Sequence, residues 1–303
     1  MEELKQCPIC KNDQFSEFLK CVDYFFTKEE FIIAKCEKCG FTFVNPQPKA
    51  ENLSKYYNST EYISHSANKN KGLFNNVYIK IRKYTQNKKA QLVSSYSKGN
   101  SILDIGCASG ELLSLFKQKG WETLGVEPGI DARNFAKSKY GLNVIDENEI
   151  KNIETESKDV ITLWHVLEHV SNLNQRMLDL KRILKKDGVL IIAVPNRNSY
   201  DAQYYEKYWA AYDVPRHLYH FTPETMKILI EKYQFSIVET LPMKFDSFYV
   251  SMLSEKYKTG KTNLLKAFVI GFKSNIKARK NKNSYSSLIY IIRNSSQLIT
   301  PNS

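Results

Sequence analysis

The chain has 303 residues, of which 42% are hydrophobic and 25% charged, an ordinary balance for a globular protein of one large domain or two smaller ones. No run of 18 apolar residues occurs and the first ten residues lack the apolar core of a signal peptide, so neither a membrane-spanning helix nor secretion is expected and the location is read as cytoplasmic. The net charge of +12 is uneven: residues 247–303 carry ten Lys or Arg against one acid, Glu255, a balance suited to nucleic acid, an anionic lipid surface, phosphorylated substrates or a solvated helical face.

Composition marks four segments: 1–50, a Cys- and aromatic-rich zinc-ribbon-like segment; 51–99, a helical linker or lid; 100–245, a nucleotide-binding α/β domain; and 246–303, a basic helical extension. In the first, Cys7-Pro8-Ile9-Cys10 and Cys36-Glu37-Lys38-Cys39 are two C-x-x-C knuckles separated by 25 residues. Four thiolates at this spacing suit tetrahedral Zn²⁺, and Pro8 and Gly40 favour the tight turns that each knuckle needs. A zinc saturated by Cys7, Cys10, Cys36 and Cys39 has no open position, so it is expected to be structural. Cys21 reads as a small buried residue and Cys107 as a loop residue chosen for size. The linker holds Tyr56, Tyr57 and Tyr62 and leads into a predicted helix over Leu73–Tyr96, where Val77, Ile81, Tyr84 and Leu92 recur at roughly helical spacing.

Next, short apolar runs alternate with helical patterns. Strands are predicted over Ser101–Ile105, 123–126, Asn143–Ile145, 159–163 and 189–194, with helices over 109–119, 131–139 and 172–184. A further helix is expected over 223–233 and a strand over 235–241. This alternation predicts an α/β fold with a doubly wound, mostly parallel sheet covered on both faces. In the last segment Leu264, Leu265, Phe268, Val269 and Phe272 form a stripe. Such a stripe most often packs into a core, although it also suits a membrane surface or a cover over an active site.

Asp104-Ile105-Gly106-Cys107-Ala108-Ser109-Gly110 sits where the first α/β strand meets its helix. Small residues there permit a sharp turn and close approach of a ligand to backbone. Glu127, 21 residues after Gly106, ends the next strand, where an acid can accept hydrogen bonds from ribose hydroxyls. The loop lacks both the dinucleotide G-x-G-x-x-G spacing and the Lys-Ser/Thr of a phosphate-binding loop. Asp104 would repel a pyrophosphate and attract an ammonium, so the ligand reads as a nucleoside with a cationic tail.

These residues resemble the class I methyltransferases, particularly the group around the ubiquinone-biosynthesis O-methyltransferases. Asp104 to Gly110 matches that family's first motif, Glu127-Pro128 its ribose-binding acid, Asp159-Val160-Ile161 through Val166-Leu167-Glu168-His169-Val170 its strand-four block, and Leu184 through Gly188 with Val194-Pro195-Asn196 its strand-five block. The resemblance implies a seven-stranded Rossmann-like sheet and S-adenosylmethionine as cofactor. It implies donor contacts from Asp104, Gly106, Cys107, Ala108, Gly110, Glu127 and Pro128 and, at the end of strand four, Trp164. The family's adenine-binding acid has no clear counterpart; Asp146 and Glu147 fit a solvated turn better. The cysteine segment is similar to zinc-binding segments on some sugar and small-molecule methyltransferases. It is also similar to those of ribosomal RNA guanine methyltransferases, whose mixed Cys/His pattern differs.

Four of the five histidines fall in two blocks, His165 with His169 and His217 with His220. Methyl transfer often needs a general base, and His165 and His217 are the candidates; His169 is expected to pack and bond a neighbouring loop. A sharper reading takes His165, Glu168 and His169 with His217 or His220 as a second metal site, because related methyltransferases with an E-x-x-E-H pattern hold a diol through a divalent ion. Replacement of the first acid by His165 leaves Zn²⁺ or no metal as the better fit. The strand-four end Leu163-Trp164-His165 lacks the motif of adenine amino-methyltransferases, and no Pro-Cys pair offers a nucleophile for cytosine methylation. The acceptor is therefore read as an O, C or N atom of a small molecule, glycan or lipid precursor. The alternatives are an RNA methyltransferase docking through the zinc segment and basic tail, and a non-catalytic S-adenosylmethionine-binding module. Peripheral membrane contact through the basic C-terminal region is a further expectation.

Overall fold

The computed structural model describes residues 1–57 and 73–298; Tyr62 and the rest of 58–72, expected within the linker, lie outside the described residues. In chain order the elements are β1 (Phe15–Val22), β2 (Glu30–Cys36), β3 (Thr42–Val44), α1 (Leu73–Tyr96), β4 (Ser101–Ile105), α2 (Glu111–Gln118), β5 (Glu122–Val126), α3 (Ile130–Tyr140), β6 (Asn143–Ile145), β7 (Lys158–Trp164), α4 (Leu173–Ile183), β8 (Leu184–Pro195), α5 (Tyr200–Tyr205), β9 (Tyr219–His220), α6 (Pro223–Lys232), β10 (Phe235–Pro242), α7 (Asp246–Thr259), α8 (Leu264–Lys280) and β11 (Ser287–Asn294). Two sheets result, one ordered β1-β2-β3-β9 and one of seven strands ordered β10-β11-β8-β7-β4-β5-β6. The α/β class and the mostly parallel seven-stranded sheet are therefore as the sequence implied.

Contacts divide the chain into two compact units, one of Met1–Ser59, His165–Arg176 and Ile192–Ile291, the other of Thr60–Trp164, Met177–Ile191 and Ile292–Ser303. This division does not follow the compositional segments, because each unit is assembled from stretches distant in sequence.

The second unit holds the parallel strands. Ser101 to Ile105 pair with Glu122 to Val126 on one side, and Ile102 to Ile105 pair with Val160 to Leu163 on the other. Every residue of β4 is buried, as a strand covered on both faces must be. Strand β8 begins at Leu184 rather than at 189, so the Lys186-Asp187-Gly188 stretch before the predicted strand is strand too. The physical reason lies far along the chain: Asn294 Nδ2 donates to the Lys185 and Lys186 carbonyls at 3.2 and 3.0 Å, satisfying backbone acceptors that a turn would leave to solvent.

In the first unit, β3 pairs antiparallel with β9, Thr42 opposite His220 and Phe43 opposite Tyr219. The cysteine-rich segment is thus completed by a strand from the second histidine block. The shared core joins Cys21, Phe31, Ile33 and Val44 to Tyr205, Trp209, Tyr212, Val214 and Ile270. An ion triad with Arg216 and Asp23 buried fastens the same two segments: Arg216 donates to Asp23 Oδ1 at 2.8 Å and to the partly buried Asp213 Oδ1 at 2.7 Å. Burial pushes the Asp23 carboxyl up, but Arg216 together with the Thr27 and Phe26 amides holds it below its ordinary range.

Two features of the C-terminal segment differ from the pattern reading. After helices α7 and α8 the chain enters β11, whose Leu288–Ile292 run is buried. A short, unbroken apolar run has no period to separate strand from helix, and its aromatic and β-branched residues favour strand. The expected core stripe is also corrected: Leu264, Leu265, Phe268, Val269 and Phe272 are all exposed, and α8 packs through Ala267, Ile270, Gly271, Ser274 and Ala278.

Candidate functional site

The loop between β4 and α2 turns through positive φ at Gly106 (71°), Ala108 (46°) and Gly110 (75°). Gly110 is required twice over, since a Cβ there would lie 2.5 Å from Leu142 Cδ1. Cys107 earns its size differently: a Cβ on Gly125 of β5 would stand 2.7 Å from Cys107 Sγ, so a small residue on one strand makes room for the loop on the next.

Glu127, at the end of β5, accepts from the Ala108 amide at 3.0 Å and the Gly129 amide at 2.9 Å. Burial pushes its carboxyl above the ordinary range, against the pull of those amides. Asp104 is buried and accepts from Thr162 Oγ1 of β7 at 2.5 Å. Its burial outweighs that bond and raises its pKa to about 6. Arg133 on α3, which the pattern reading missed, donates to the Glu127 and Pro128 carbonyls at 2.6 and 2.7 Å and pairs with Asp146 at 2.8 Å. Asp146 also caps the turn over Glu147–Asn152 through the Asn148 amide, so its carboxylate is committed to the chain, in keeping with a structural turn. Arg82 on α1 reaches Glu111 at 2.7 Å and Ser109 Oγ at 3.2 Å, tying the helix to the loop. Trp164 has a buried indole N–H with no partner among the described residues, and Lys89 Nζ stands 4.4 Å from its ring centre.

In the other unit, His165 adopts φ 58° and is held at both ring nitrogens, Nδ1 at 3.3 Å from Glu168 and Nε2 at 2.9 Å from Asp246. Burial disfavours its charge, but the two carboxylates outweigh burial and raise its pKa to about 10. A ring already protonated and occupied at both nitrogens is a poor proton acceptor near neutral pH, which counts against His165 as a general base. His217 donates from Nδ1 to the Ala211 carbonyl at 2.8 Å, and its Nε2 lies 4.0 Å from Asp213 Oδ2. His169 likewise bonds the Arg216 carbonyl through Nδ1 at 3.1 Å, and burial with the neighbouring His217 lowers its pKa to about 4. The rings of His169 and His217 meet edge to face at 4.4 Å. Donor atoms of Glu168, His169 and His217 all lie within 4.8 Å of one another, and Glu168 Oε2 is buried with no partner among the described residues. His165 is not in that group, which corrects the composition of the metal cluster suggested by the spacing. His220 lies in β9, with burial pushing its pKa well down.

The four cysteine sulfurs also lie within 4.8 Å of one another, Cys7 to Cys39 at 3.6 Å and Cys10 to Cys36 at 3.5 Å. Each knuckle closes in the same way: the Lys11 amide returns to Cys7 O at 3.0 Å and the Gly40 amide to Cys36 O at 2.9 Å, with φ of 64° and 71° at these equivalent positions. Gly40 was legible as a turn residue; Lys11 carries no such signal.

A family model described as a methyltransferase domain matches residues 80–240, more than half of the chain. The chain belongs to the methyltransferase domain family. Among curated relatives of this methyltransferase-family protein, the ubiquinone biosynthesis O-methyltransferase of Glaesserella parasuis serovar 5 is 34% identical over 113 residues, 33% of this chain and 48% of that protein. The protein of the same name from Rhodopseudomonas palustris strain TIE-1 is 28% identical over 124 residues, 39% of this chain and 47% of that protein. The chain thus spans about half the length of the curated relatives it matches. Two solved structures share the fold. One contains the Haloferax volcanii Trm112 methyltransferase activator in complex with a methyltransferase, with TM-score 0.54, 12% identity and coverage of 80% of this chain and 97% of that one. The other is the [4+2]-cyclase SpnF, with TM-score 0.51, 14% identity and coverage of 82% and 97%.

Proposed function

We propose that the chain is an S-adenosylmethionine-dependent methyltransferase acting on an O, C or N atom of a small molecule, glycan or lipid precursor. The observation that carries this reading is the placement of Glu127, whose carboxylate sits on the amide of Ala108 in the glycine loop. Asp104, Gly106, Cys107, Ala108, Gly110, Glu127, Pro128 and Trp164 are proposed to hold the donor. The fit is chemical: a buried acid at Asp104 suits a cationic tail, and an acid at the end of β5 suits two ribose hydroxyls. When bound, the donor supplies an electrophilic methyl group on a sulfonium. Titration calorimetry of the full chain with S-adenosylmethionine, followed by a labelled-methyl assay on metabolite extract, tests the reading. Micromolar binding with a labelled product is expected; absence of donor binding overturns it.

Of the two histidines expected to act as base, His217 is the better supported, since its Nε2 is 4.0 Å from the nearest carboxylate, Asp213, while both nitrogens of His165 are within 3.3 Å of one. His165, clamped between Glu168 and Asp246, is proposed as a positioning residue. A second reading rests on the same residue: Glu168, His169 and His217 could together hold a divalent cation, because one donor atom from each lies within 4.8 Å of the others and backbone carbonyls orient both rings through Nδ1. Such an ion would bind an acceptor hydroxyl and lower its pKa.

Cys7, Cys10, Cys36 and Cys39 are proposed to hold a structural Zn²⁺. Zn–S bonds of about 2.3 Å set tetrahedral S···S edges of about 3.8 Å, close to the separations present. Elemental analysis should find about one zinc per chain, with none after Cys36→Ser; a second divalent ion surviving that change supports the cation reading above.

A further inference from the structure

Helix α8 carries its apolar residues the wrong way round for a helix that only packs. Leu264, Leu265, Phe268, Val269, Phe272 and Ile276 are between 39% and 76% exposed. At 3.6 residues per turn they share one continuous face, while the buried Ala267, Gly271, Ser274 and Ala278 share the opposite one. This rotation is fixed by specific bonds. Ser274 Oγ donates to the buried Asp201 carboxylate at 2.6 Å, and Ser247 Oγ of α7 donates to the Gly271 carbonyl at 3.1 Å. A Cβ at Gly271 would lie 3.0 Å from Phe248 Cα, so the small face is the one that α7 admits. Turning the large residues inward would break all three features. The outward rings are also ordered: Phe268 stacks on Phe248 at 5.2 Å and on Phe272 at 6.3 Å.

The charge carried by this helix has a single sign, with Lys266 paired to the buried Glu255 of α7 at 3.1 Å. Residues 261–282 contain seven Lys or Arg and no acid. Lys273 and Lys280 are exposed beside the apolar face, and Arg279 is exposed near its C-terminal end. Lys277 is used differently, lying over the Tyr200 ring at 3.8 Å. An exposed apolar helical face flanked by basic residues and free of acids is complementary to a bilayer surface bearing anionic headgroups. A duplex or single-stranded nucleic acid would use the cations but has no place for two stacked phenylalanines and four aliphatic side chains on the outside of a helix. Among the described residues no helix is long and apolar enough to cross a membrane, so α8 would lie along the surface.

We propose that α8 is an interfacial docking helix that seats this chain on an anionic lipid surface, apolar face inward and Lys273, Arg279 and Lys280 at the headgroups. The inference is independent of which acceptor the donor site serves.

The test is co-sedimentation of the full chain with large vesicles of phosphatidylcholine, with and without phosphatidylglycerol, at about 0.1 M and about 0.5 M salt. Binding is expected only to the phosphatidylglycerol vesicles and is expected to weaken at high salt. Phe268→Asn with Phe272→Asn should reduce it about tenfold or more, and Lys273→Gln with Arg279→Gln and Lys280→Gln should remove most of the anionic preference. Both variants replace exposed side chains, and unchanged far-ultraviolet circular dichroism and S-adenosylhomocysteine binding verify that they fold. The proposal is overturned if the wild-type chain ignores anionic vesicles or binds them equally after the phenylalanine changes. It is equally overturned if the wild type is a dimer that those changes convert to a monomer, or if the basic residues serve salt-sensitive RNA binding with no vesicle binding at all.

Discussion

The loop around Gly106 and the pocket around His217 solve the same problem, fixing polar groups in space, by opposite means. The loop is almost wholly local: Gly106, Ala108 and Gly110 set its turns, and Glu127 reaches it from the adjacent parallel strand. The histidine region is assembled from four stretches. Asp23 lies near the N-terminus, Glu168 and His169 follow β7, Asp213 to His217 precede β9, and Asp246 opens α7. A local site needs only backbone geometry that the sequence writes directly. A dispersed site needs buried charge, cross-chain pairing and, on the reading above, a metal to hold its parts together.

If the dispersed region depends on its ion triad, Arg216→Leu should have the largest effect on stability. It strands Asp23 and Asp213 without their partner, and urea unfolding should show a loss of about 3–5 kcal/mol. A loss below about 1 kcal/mol would mean that the triad does not fasten the region. Next, Cys36→Ser or zinc chelation should lower the melting temperature by several degrees, for a loss of about 2–4 kcal/mol, while donor affinity measured by calorimetry changes little. An equal loss of donor affinity would break the contrast between the two regions. Third, Glu127→Ala should weaken S-adenosylmethionine binding about 100-fold by removing an acceptor fixed by two amides, with little change in melting temperature.

The smallest expected effect is a pH dependence. Burial raises Asp104 to about 6, so the folded chain holds this proton more tightly than the unfolded chain does. The stability this contributes is present at low pH and is lost as pH rises through about 6. A cationic donor favours the ionised carboxylate, so its affinity should rise several-fold from about pH 5 to about pH 7. Asp104→Asn should flatten that profile, and an unaltered profile would remove Asp104 from the account.

Legibility followed the same divide. Strands β4, β5 and β7 were readable from short apolar runs, and α1 from its spacing over Leu73–Tyr96. The glycine loop and the cysteine knuckles were readable because their geometry is set within a few residues. Arg133 and Arg216 were not, because an arginine carries no mark of the carbonyls or carboxylates it will meet. The two histidine candidates could be picked from the sequence but not ranked, since the ranking rests on Asp246 and the Ala211 carbonyl. The stripe on α8 was visible in full, yet its direction was not.

By itself, then, the sequence determined the central α/β elements, the parallel α/β class, the turn chemistry of the loop and the sulfur set, all of which arise from interactions among near neighbours in the chain. Tertiary structure alone decided that Asp246 clamps His165, that β9 completes the cysteine-rich sheet, that 184–188 joins β8, and that α8 turns its phenylalanines outward. Each of these rests on a partner tens to hundreds of residues away. Burial and pairing energies between such partners are fixed only once the chain has folded.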